Sequence, residues 1–116
     1  MKTLFVLNDP PYGTERSYNG LRLANALAKR DGEEVRIFLM ADAVSCALAG
    51  QQTPNGYYNL ERLLGSAIKR GAAVGLCGTC MDARAVKDNQ LVEGAHRSTL
   101  EELADWTAWA DKVVTF

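Results

Sequence analysis

Short apolar segments alternate with amphipathic ones along the sequence, and this alternation constrains the fold more than any other feature. Residues 3–7, 35–40, 72–77 and 113–116 are predicted strands, because each run is short, apolar and bounded by turn-forming residues. Apolar residues at spacings of three and four predict helices between them. Strands that alternate with helices form a parallel sheet covered by helices on both faces. The sequence therefore predicts an α/β fold, a three-layer α/β/α arrangement.

Helix starts can be read from residues whose side chains cap the first turn. Asp42 and Asn59 stand immediately before two predicted helices, and Ser98 opens a capping-box pattern that ends at Glu101. A further short helix is predicted near residues 79–85, and a small strand near residues 94–96. The last helix is expected to bury one stripe of residues: Leu100, Leu103, Ala104, Trp106 and Ala110.

Length and charge bound the organisation of the chain. The 116 residues hold no repeat or linker, which predicts a single domain over residues 1–116. The 13 basic and 14 acidic residues leave a net charge of −1, which argues against a nucleic-acid partner. The apolar part of the first nine residues is too short for a signal sequence or a membrane span. We therefore expect a cytoplasmic protein without a membrane partner.

Three cysteines cannot pair evenly within one chain, and a reducing compartment keeps them as thiols. Cys77 ends a predicted strand and Cys80 follows three residues later, at the sheet edge where ligands of such folds bind. The start of a helix favours a thiolate, so Cys80 is the better candidate nucleophile. Arg84 adds positive charge there, whereas Asp82 opposes it. The alternative interpretation is that both cysteines are small packing residues.

Other side chains of the same edge are candidate supporting residues. They follow the first three strands: Asp9, Tyr12, Asp42 and Arg84. Cys46 stands among apolar residues and is expected to pack in the core, and His96 is expected at the surface or in packing.

Cofactor and metal chemistry find little support in the sequence. A structural zinc site needs four ligands, and only Cys46 and His96 could add to the Cys77–Cys80 pair. The first strand is followed by none of the glycine-rich patterns that cradle nucleotides. We therefore expect neither a metal nor a cofactor. A thioredoxin-like redox pair stays open, because a CxxC beside a βαβ pattern is its usual sign.

Four separated motifs resemble those of one known family. They are Asn-Asp-Pro-Pro-Tyr-Gly at residues 8–13, Phe-Leu-Met-Ala-Asp-Ala-Val at 38–44, Leu-Cys-Gly-Thr-Cys-Met-Asp-Ala-Arg at 76–84, and the segment from Leu103 to Phe116. Together they resemble the DsrE/DsrF-like sulfur-relay family, in particular its YchN-like branch.

The resemblance implies a five-stranded parallel α/β/α sandwich that assembles as a homotrimer or homohexamer. It also implies that Cys80 carries sulfane sulfur as a persulfide, with Cys77 as the second thiol. The family often has glycine after the position of Arg84, whereas this chain has Ala85. If that glycine serves a left-handed turn, the backbone here is expected to differ.

These observations lead to one functional hypothesis and two alternatives. The first is a cytoplasmic sulfur-relay protein, a sulfur carrier or sulfurtransferase, whose partners are copies of itself and donor and acceptor proteins or small thiols. In the alternatives, the chain is a noncatalytic oligomeric module that binds a small ligand, or a CxxC thiol–disulfide reductase.

Overall fold

Strands alternate with helices in the structure, a computed structural model that describes residues 1–54 and 58–116. In chain order the elements are β1 (Lys2–Leu7), α1 (Arg16–Ala28), β2 (Glu34–Leu39), a 3₁₀ helix (Ala41–Ala47), α2 (Leu60–Lys69), β3 (Ala73–Cys77), α3 (Gly78–Ala83), a short 3₁₀ helix (Asp88–Gln90), β4 (Ala95–Ser98), α4 (Leu100–Trp109) and β5 (Lys112–Thr115). The predicted alternation is confirmed, including the small strand before the last helix.

The five strands form one parallel sheet in the order β4-β3-β2-β1-β5. This arrangement confirms the predicted α/β fold. β4 and β5 lie at the two edges, and β4 pairs with β3 in a register that sets Ser98 beside Cys77. The last residue of β3 is therefore next to the end of an edge strand. Within the described part of the chain, no helix is both long and apolar enough to cross a membrane.

Alternate residues of each strand enter two cores of different size. Phe5 and Ile37 belong to the larger core, which contains buried residues of α1 and α2. Leu4 and Phe38, one position away on the same strands, pack with Trp106 of α4 in the smaller core. This period of two is what a strand with both faces covered requires. The sheet is thus the middle layer of three.

Two of the three predicted helix caps differ in the structure. Asn59 caps α2 as predicted, because its side-chain oxygen accepts a hydrogen bond from the backbone N–H of Arg62 at 3.0 Å. Thr99, not Ser98, caps α4, and its hydroxyl accepts from the N–H of Glu102 at 3.1 Å. Asp42 caps no helix; the 3₁₀ helix begins one residue earlier, at Ala41, after Met40. Sequence patterns locate such starts to within a residue or two only.

The predicted inner stripe of α4 is wrong at its first turn. Trp106 is buried, but Leu100 is 70% exposed and Ala104 is exposed as well. Leu103 and Ala110 are partly buried against the smaller core. Trp106 fills the space above the sheet where Gly75 carries no side chain, since a Cβ there would lie 3.3 Å from the indole. Trp106 is therefore the one buried residue of this helix.

Candidate functional site

Cys77 and Cys80 lie where β3 passes directly into α3. Cys77 is the last residue of β3, as predicted, and α3 begins at the next residue, Gly78. Both thiols are free and half-buried. The strand end places them at the carboxyl edge of the sheet, where parallel α/β folds bind ligands.

Hydrogen-bond donors of α3 converge on the sulfur of Cys77. The backbone N–H of Cys80 donates to Cys77 Sγ at 3.4 Å, so Cys77 caps the helix. The Thr79 hydroxyl lies 3.2 Å from the same sulfur. A thiolate accepts hydrogen bonds more strongly than a thiol does, so these donors favour the ionised form of Cys77.

The pKa values of the two thiols move in opposite directions. Partial burial raises the pKa of Cys77, but hydrogen bonds from Cys80 and Thr79 outweigh burial and leave that pKa below its ordinary value. Burial raises the pKa of Cys80, and the hydrogen bond to Cys77 raises it further, only partly offset by the Ala41 backbone and Arg84. Sequence reasoning favoured Cys80 as the thiolate. The structure favours Cys77, because α3 begins at Gly78, two residues before Cys80, and Cys77 therefore takes the capping position.

Arg84 and Asp42 join the end of α3 to the neighbouring 3₁₀ helix. Arg84 Nε donates to Asp42 Oδ1 at 2.8 Å, and Arg84 Nη1 donates to the carbonyl oxygen of Cys80 at 3.2 Å. The guanidinium thus binds the backbone that carries the second thiol. Asp42 and Arg84 therefore lie beside the thiol pair, as candidate supporting residues should.

Two alanines with left-handed backbone flank this site. Ala85, directly after Arg84, has φ 55°, and Ala41, directly before Asp42, has φ 50°. The backbone after Arg84 thus adopts the left-handed turn even though the residue is alanine. A residue with a Cβ pays a steric cost in this region, so strain is concentrated at the ends of the Asp42–Arg84 contact.

Asp9 and Tyr12 form their hydrogen bonds away from the thiols. Asp9 Oδ2 accepts from the Thr14 hydroxyl at 3.0 Å within the loop after β1. The Tyr12 hydroxyl donates to Gln51 at 2.5 Å and accepts from the N–H of Leu60 at 3.3 Å. These contacts order the loop after β1 and the start of α2. The two residues share the sheet edge with the thiols but not their immediate surroundings.

Cys46 is fully buried, which confirms its predicted place in the core. Burial raises the pKa of Cys46 to about 12. This thiol is therefore neutral at physiological pH and poorly nucleophilic. Among residues 1–54 and 58–116, no group of three or more His, Cys, Asp or Glu side chains is placed to hold a metal ion.

A cavity of about 570 Å³ opens beside the thiol pair. Its apolar wall includes Phe38 of β2, Met40 directly after that strand, and the exposed Leu100. Arg97, Ser98, Thr99 and Glu101 supply its polar wall. Its size suits a small molecule or a few residues of a partner chain.

Sequence reasoning missed three side chains around the site. Thr79 contacts Cys77, and Arg97 of β4 binds Asp82 of α3 with Nη2 to Oδ2 at 2.7 Å. Glu102 of α4 contacts His96 and accepts from the Ser98 hydroxyl at 2.6 Å. The Arg97–Asp82 contact depends on β4 lying beside β3. The sequence predicts the small strand near residues 94–96, but the composition of that strand does not show which strand it pairs with.

Comparison with known proteins matches the whole chain to one family. The model of the DsrE/DsrF-like family covers residues 1–116. The chain is also 43% identical over 116 residues to Protein YchN of Escherichia coli (strain K12), covering 99% of this chain and 98% of that protein. The chain belongs to the DsrE/DsrF-like family.

Solved structures agree with this membership. The crystal structure of the YchN protein from E. coli matches with a TM-score of 0.93, over 100% of this chain and 99% of that chain. A protein of unknown function from Methanobacterium thermoautotrophicum matches with a TM-score of 0.74 at 12% identity, over 99% of this chain and 98% of that chain, and shows the shared fold alone. The DsrE/DsrF-like family is associated with sulfur relay. The names of the proteins that this chain matches specify no reaction.

Proposed function

We propose that this DsrE/DsrF-like chain is a sulfur carrier that accepts and passes on sulfane sulfur through Cys77 and Cys80. The observation that carries the proposal is the pair of half-buried thiols in mutual contact, one with a lowered pKa and one with a raised pKa. Both line one open cavity at the ligand edge of the sheet. A nucleophilic thiolate beside a second thiol is the arrangement that thiol exchange requires.

The proposed transfer is an exchange of one sulfur–sulfur bond for another. The Cys77 thiolate attacks the outer sulfur of a donor persulfide, the donor S–S bond breaks, and the donor leaves as a thiolate. The outer sulfur then stands on Cys77 as a persulfide, with no net oxidation. An acceptor thiolate removes it by the same reaction in reverse, and Cys80 is close enough to be the first such acceptor. The family resemblance, which gives the carrier role to Cys80, fits this second position.

Cys80 also offers a way to discharge the carrier. Its thiolate can attack the inner sulfur of the Cys77 persulfide, which forms the Cys77–Cys80 disulfide and releases hydrosulfide. The two cysteines are then oxidised, the transferred sulfur is reduced, and a small thiol must reduce the disulfide before another cycle. The donors and acceptors are proteins or small thiols in this proposal.

Intact-mass measurement after incubation with a persulfide donor tests the proposal. We expect the unmodified chain and the matched control Cys46→Ser to gain the mass of one sulfur atom, and Cys77→Ser to gain much less. Undiminished uptake by the Cys77→Ser, Cys80→Ser double variant would refute it. Loss of uptake in Cys80→Ser alone would instead identify Cys80 as the residue that attacks first.

The same measurement separates the two other functions. A loss of two hydrogens that needs both thiols would indicate a thiol–disulfide reductase if neither Cys77→Ser nor Cys80→Ser gains sulfur, because discharge of a carrier also ends in the Cys77–Cys80 disulfide. The contact between the two thiols allows this function as well. A chain that gains and loses nothing would be a binding module, for which the cavity of about 570 Å³ is the favouring observation.

A further inference from the structure

The Arg97 guanidinium lies close to the backbone of the thiol segment at Gly78. A Cβ at Gly78 would meet Arg97 Nε at 3.1 Å, Arg97 Cζ at 3.3 Å and the carbonyl oxygen of Ser98 at 3.0 Å. Glycine at this position is therefore what allows the guanidinium of the edge strand to approach α3 so closely. The same guanidinium forms part of the wall of the thiol cavity.

Two carboxylates hold the Arg97 guanidinium in this orientation. Nη2 donates to Asp82 Oδ2 at 2.7 Å, and Nη1 lies 3.7 Å from Asp88 Oδ1. Asp82 belongs to α3 itself, so the short contact ties β4 to the helix that carries both hydrogen-bond donors of Cys77. The hydrogen bond from Arg97 also holds the pKa of Asp82 below its usual range, so this carboxylate is ionised at neutral pH.

The anchored helix is short and depends on such contacts. α3 spans six residues, and isolated helices of this length do not persist in water. The C-terminal end of α3 is joined to the 3₁₀ helix through the contact of Arg84 with Asp42. On its other side, α3 is joined to β4 through the contact of Asp82 with Arg97. Thr79 and Cys80 reach the Cys77 sulfur only while the first turn of α3 stays helical.

We propose that Arg97 is a positioning residue for the thiol pair: its contact with Asp82 and Gly78 holds α3 where Thr79 and Cys80 donate hydrogen bonds to Cys77. Arg97 acts through α3 and need not touch the sulfur. The proposal deepens the sulfur-carrier function and rests on it for its biological meaning.

Charge and position predict opposite results for one substitution, Asp82→Asn. The substitution removes a negative charge near the thiols, and by charge alone that would stabilise a thiolate and lower the pKa of Cys77. If the Arg97–Asp82 contact positions α3, its loss instead weakens the donors to the sulfur and raises that pKa. Gly78→Ala displaces the guanidinium without altering any charge, so it should raise the pKa for the same reason.

The experiment follows alkylation of Cys77 by iodoacetamide as a function of pH, in the full-length Cys80→Ser chain. Serine leaves one reactive thiol in the pair, and buried Cys46 stays protected.

We expect Arg97→Ala, Asp82→Asn and Gly78→Ala each to move the alkylation midpoint up by about half to one pH unit, with about two- to fourfold slower reaction at pH 7. Asp88→Asn, the matched control at the longer contact, should shift it by less than about a third of that.

An unchanged or lowered midpoint in both Asp82→Asn and Gly78→Ala would overturn the positioning role. Gly78→Ala keeps the proposal testable if Asp82→Asn does not fold, and circular dichroism establishes folding for each variant. Sulfur uptake, measured separately in the unmodified chain, decides the carrier function. If sulfur uptake is absent while the alkylation midpoints shift, the carrier function fails and the positioning role of Arg97 stands. If the chain takes up sulfur while the midpoints do not shift, the carrier function stands and the positioning role fails.

Discussion

Cys77 and Cys80 are the same residue type three positions apart, yet their environments make them chemically different. Cys77 caps α3 and accepts hydrogen bonds, whereas Cys80 lies within the helix and donates one. The first therefore ionises more readily than the second. This division suits a relay, because one thiol can attack while the other waits to accept or to release the product.

Ala85 offers a direct test of backbone strain at the site. Its φ of 55° costs an alanine about 1–2 kcal/mol, whereas glycine adopts it freely at the expense of about 0.5–1 kcal/mol of unfolded-state entropy. We expect Ala85→Gly to raise the free energy of unfolding by about 0.5–1 kcal/mol in urea titrations.

The control for this prediction is Ala108→Gly on the exposed side of α4, where ordinary helical backbone should make glycine destabilising by about 1 kcal/mol. Destabilisation by Ala85→Gly of the same size as the control would mean that Ala85 carries no strain.

Cys46 predicts how stability depends on alkaline pH. Burial raises the pKa of Cys46 from its ordinary value of 9.0 to about 12, so the folded chain keeps a proton that the unfolded chain loses. The stabilisation is fully present below pH 9 and is lost as the pH rises towards 12, by up to about 1.4 kcal/mol per pH unit. Unfolding free energies of the unmodified chain and Cys46→Ala, measured between pH 8 and about pH 11 under reducing conditions, should therefore converge as the pH rises.

The comparison uses the difference between the two chains, because lysine and tyrosine titration affects both alike. A difference that stays constant across this pH range would contradict the proposed titration of Cys46.

At the scale of elements, α4 has one buried residue, Trp106. Trp106 contacts Phe38 edge to face with ring centroids 6.1 Å apart, and the Arg36 guanidinium lies 5.4 Å from its ring. We expect Trp106→Ala to lower the free energy of unfolding by about 3 kcal/mol or more, because it removes a large buried ring above Gly75. Asp105→Ala, on the exposed side of the same helix, should change it by less than about 0.5 kcal/mol.

Urea unfolding followed by circular dichroism gives both free energies. If the two variants lost similar stability, α4 would owe its position to contacts along its whole length, as the predicted apolar stripe implied.

At the scale of the whole molecule, we propose that copies of the chain associate, as the family resemblance implies. Large apolar side chains remain exposed on one protomer, among them Leu100 at 70% and Val113 at 45%. Within residues 1–54 and 58–116, β4 and β5 also present strand edges that pair with no further strand, and proteins usually cover or protect such edges. Sedimentation velocity across a dilution series should show a trimer or hexamer that dissociates only at low concentration. A monomer at every concentration would contradict this prediction.

Association would also bear on the site, because Leu100 lines the thiol cavity. Sulfur uptake measured at concentrations above and below dissociation would show whether the protomer alone accepts sulfur. Uptake that is equal in both regimes would place the whole reaction within one chain.

The sequence by itself determined the order of strands and helices, the sheet edge at which Cys77 and Cys80 lie, and the burial of Cys46. Periodicity and turn residues act over a few neighbouring positions, so one chain displays them directly. Family motifs added the five-stranded sheet. Cap positions and the inner face of α4 were less certain, because neighbouring residues such as Ser98 and Thr99 carry the same capping chemistry.

Only the structure decided where α3 begins, and with it which thiol has the lowered pKa, and which side chains surround the pair. Arg84 and Asp42 are separated by 42 positions in sequence, and Arg97 and Asp82 by 15. Such contacts depend on how whole elements lie beside one another, above all on β4 pairing with β3. These charged contacts act across the spatial arrangement, whereas the hydrogen bonds that lower the pKa of Cys77 come from residues two and three positions further along the chain and exist because α3 begins at Gly78.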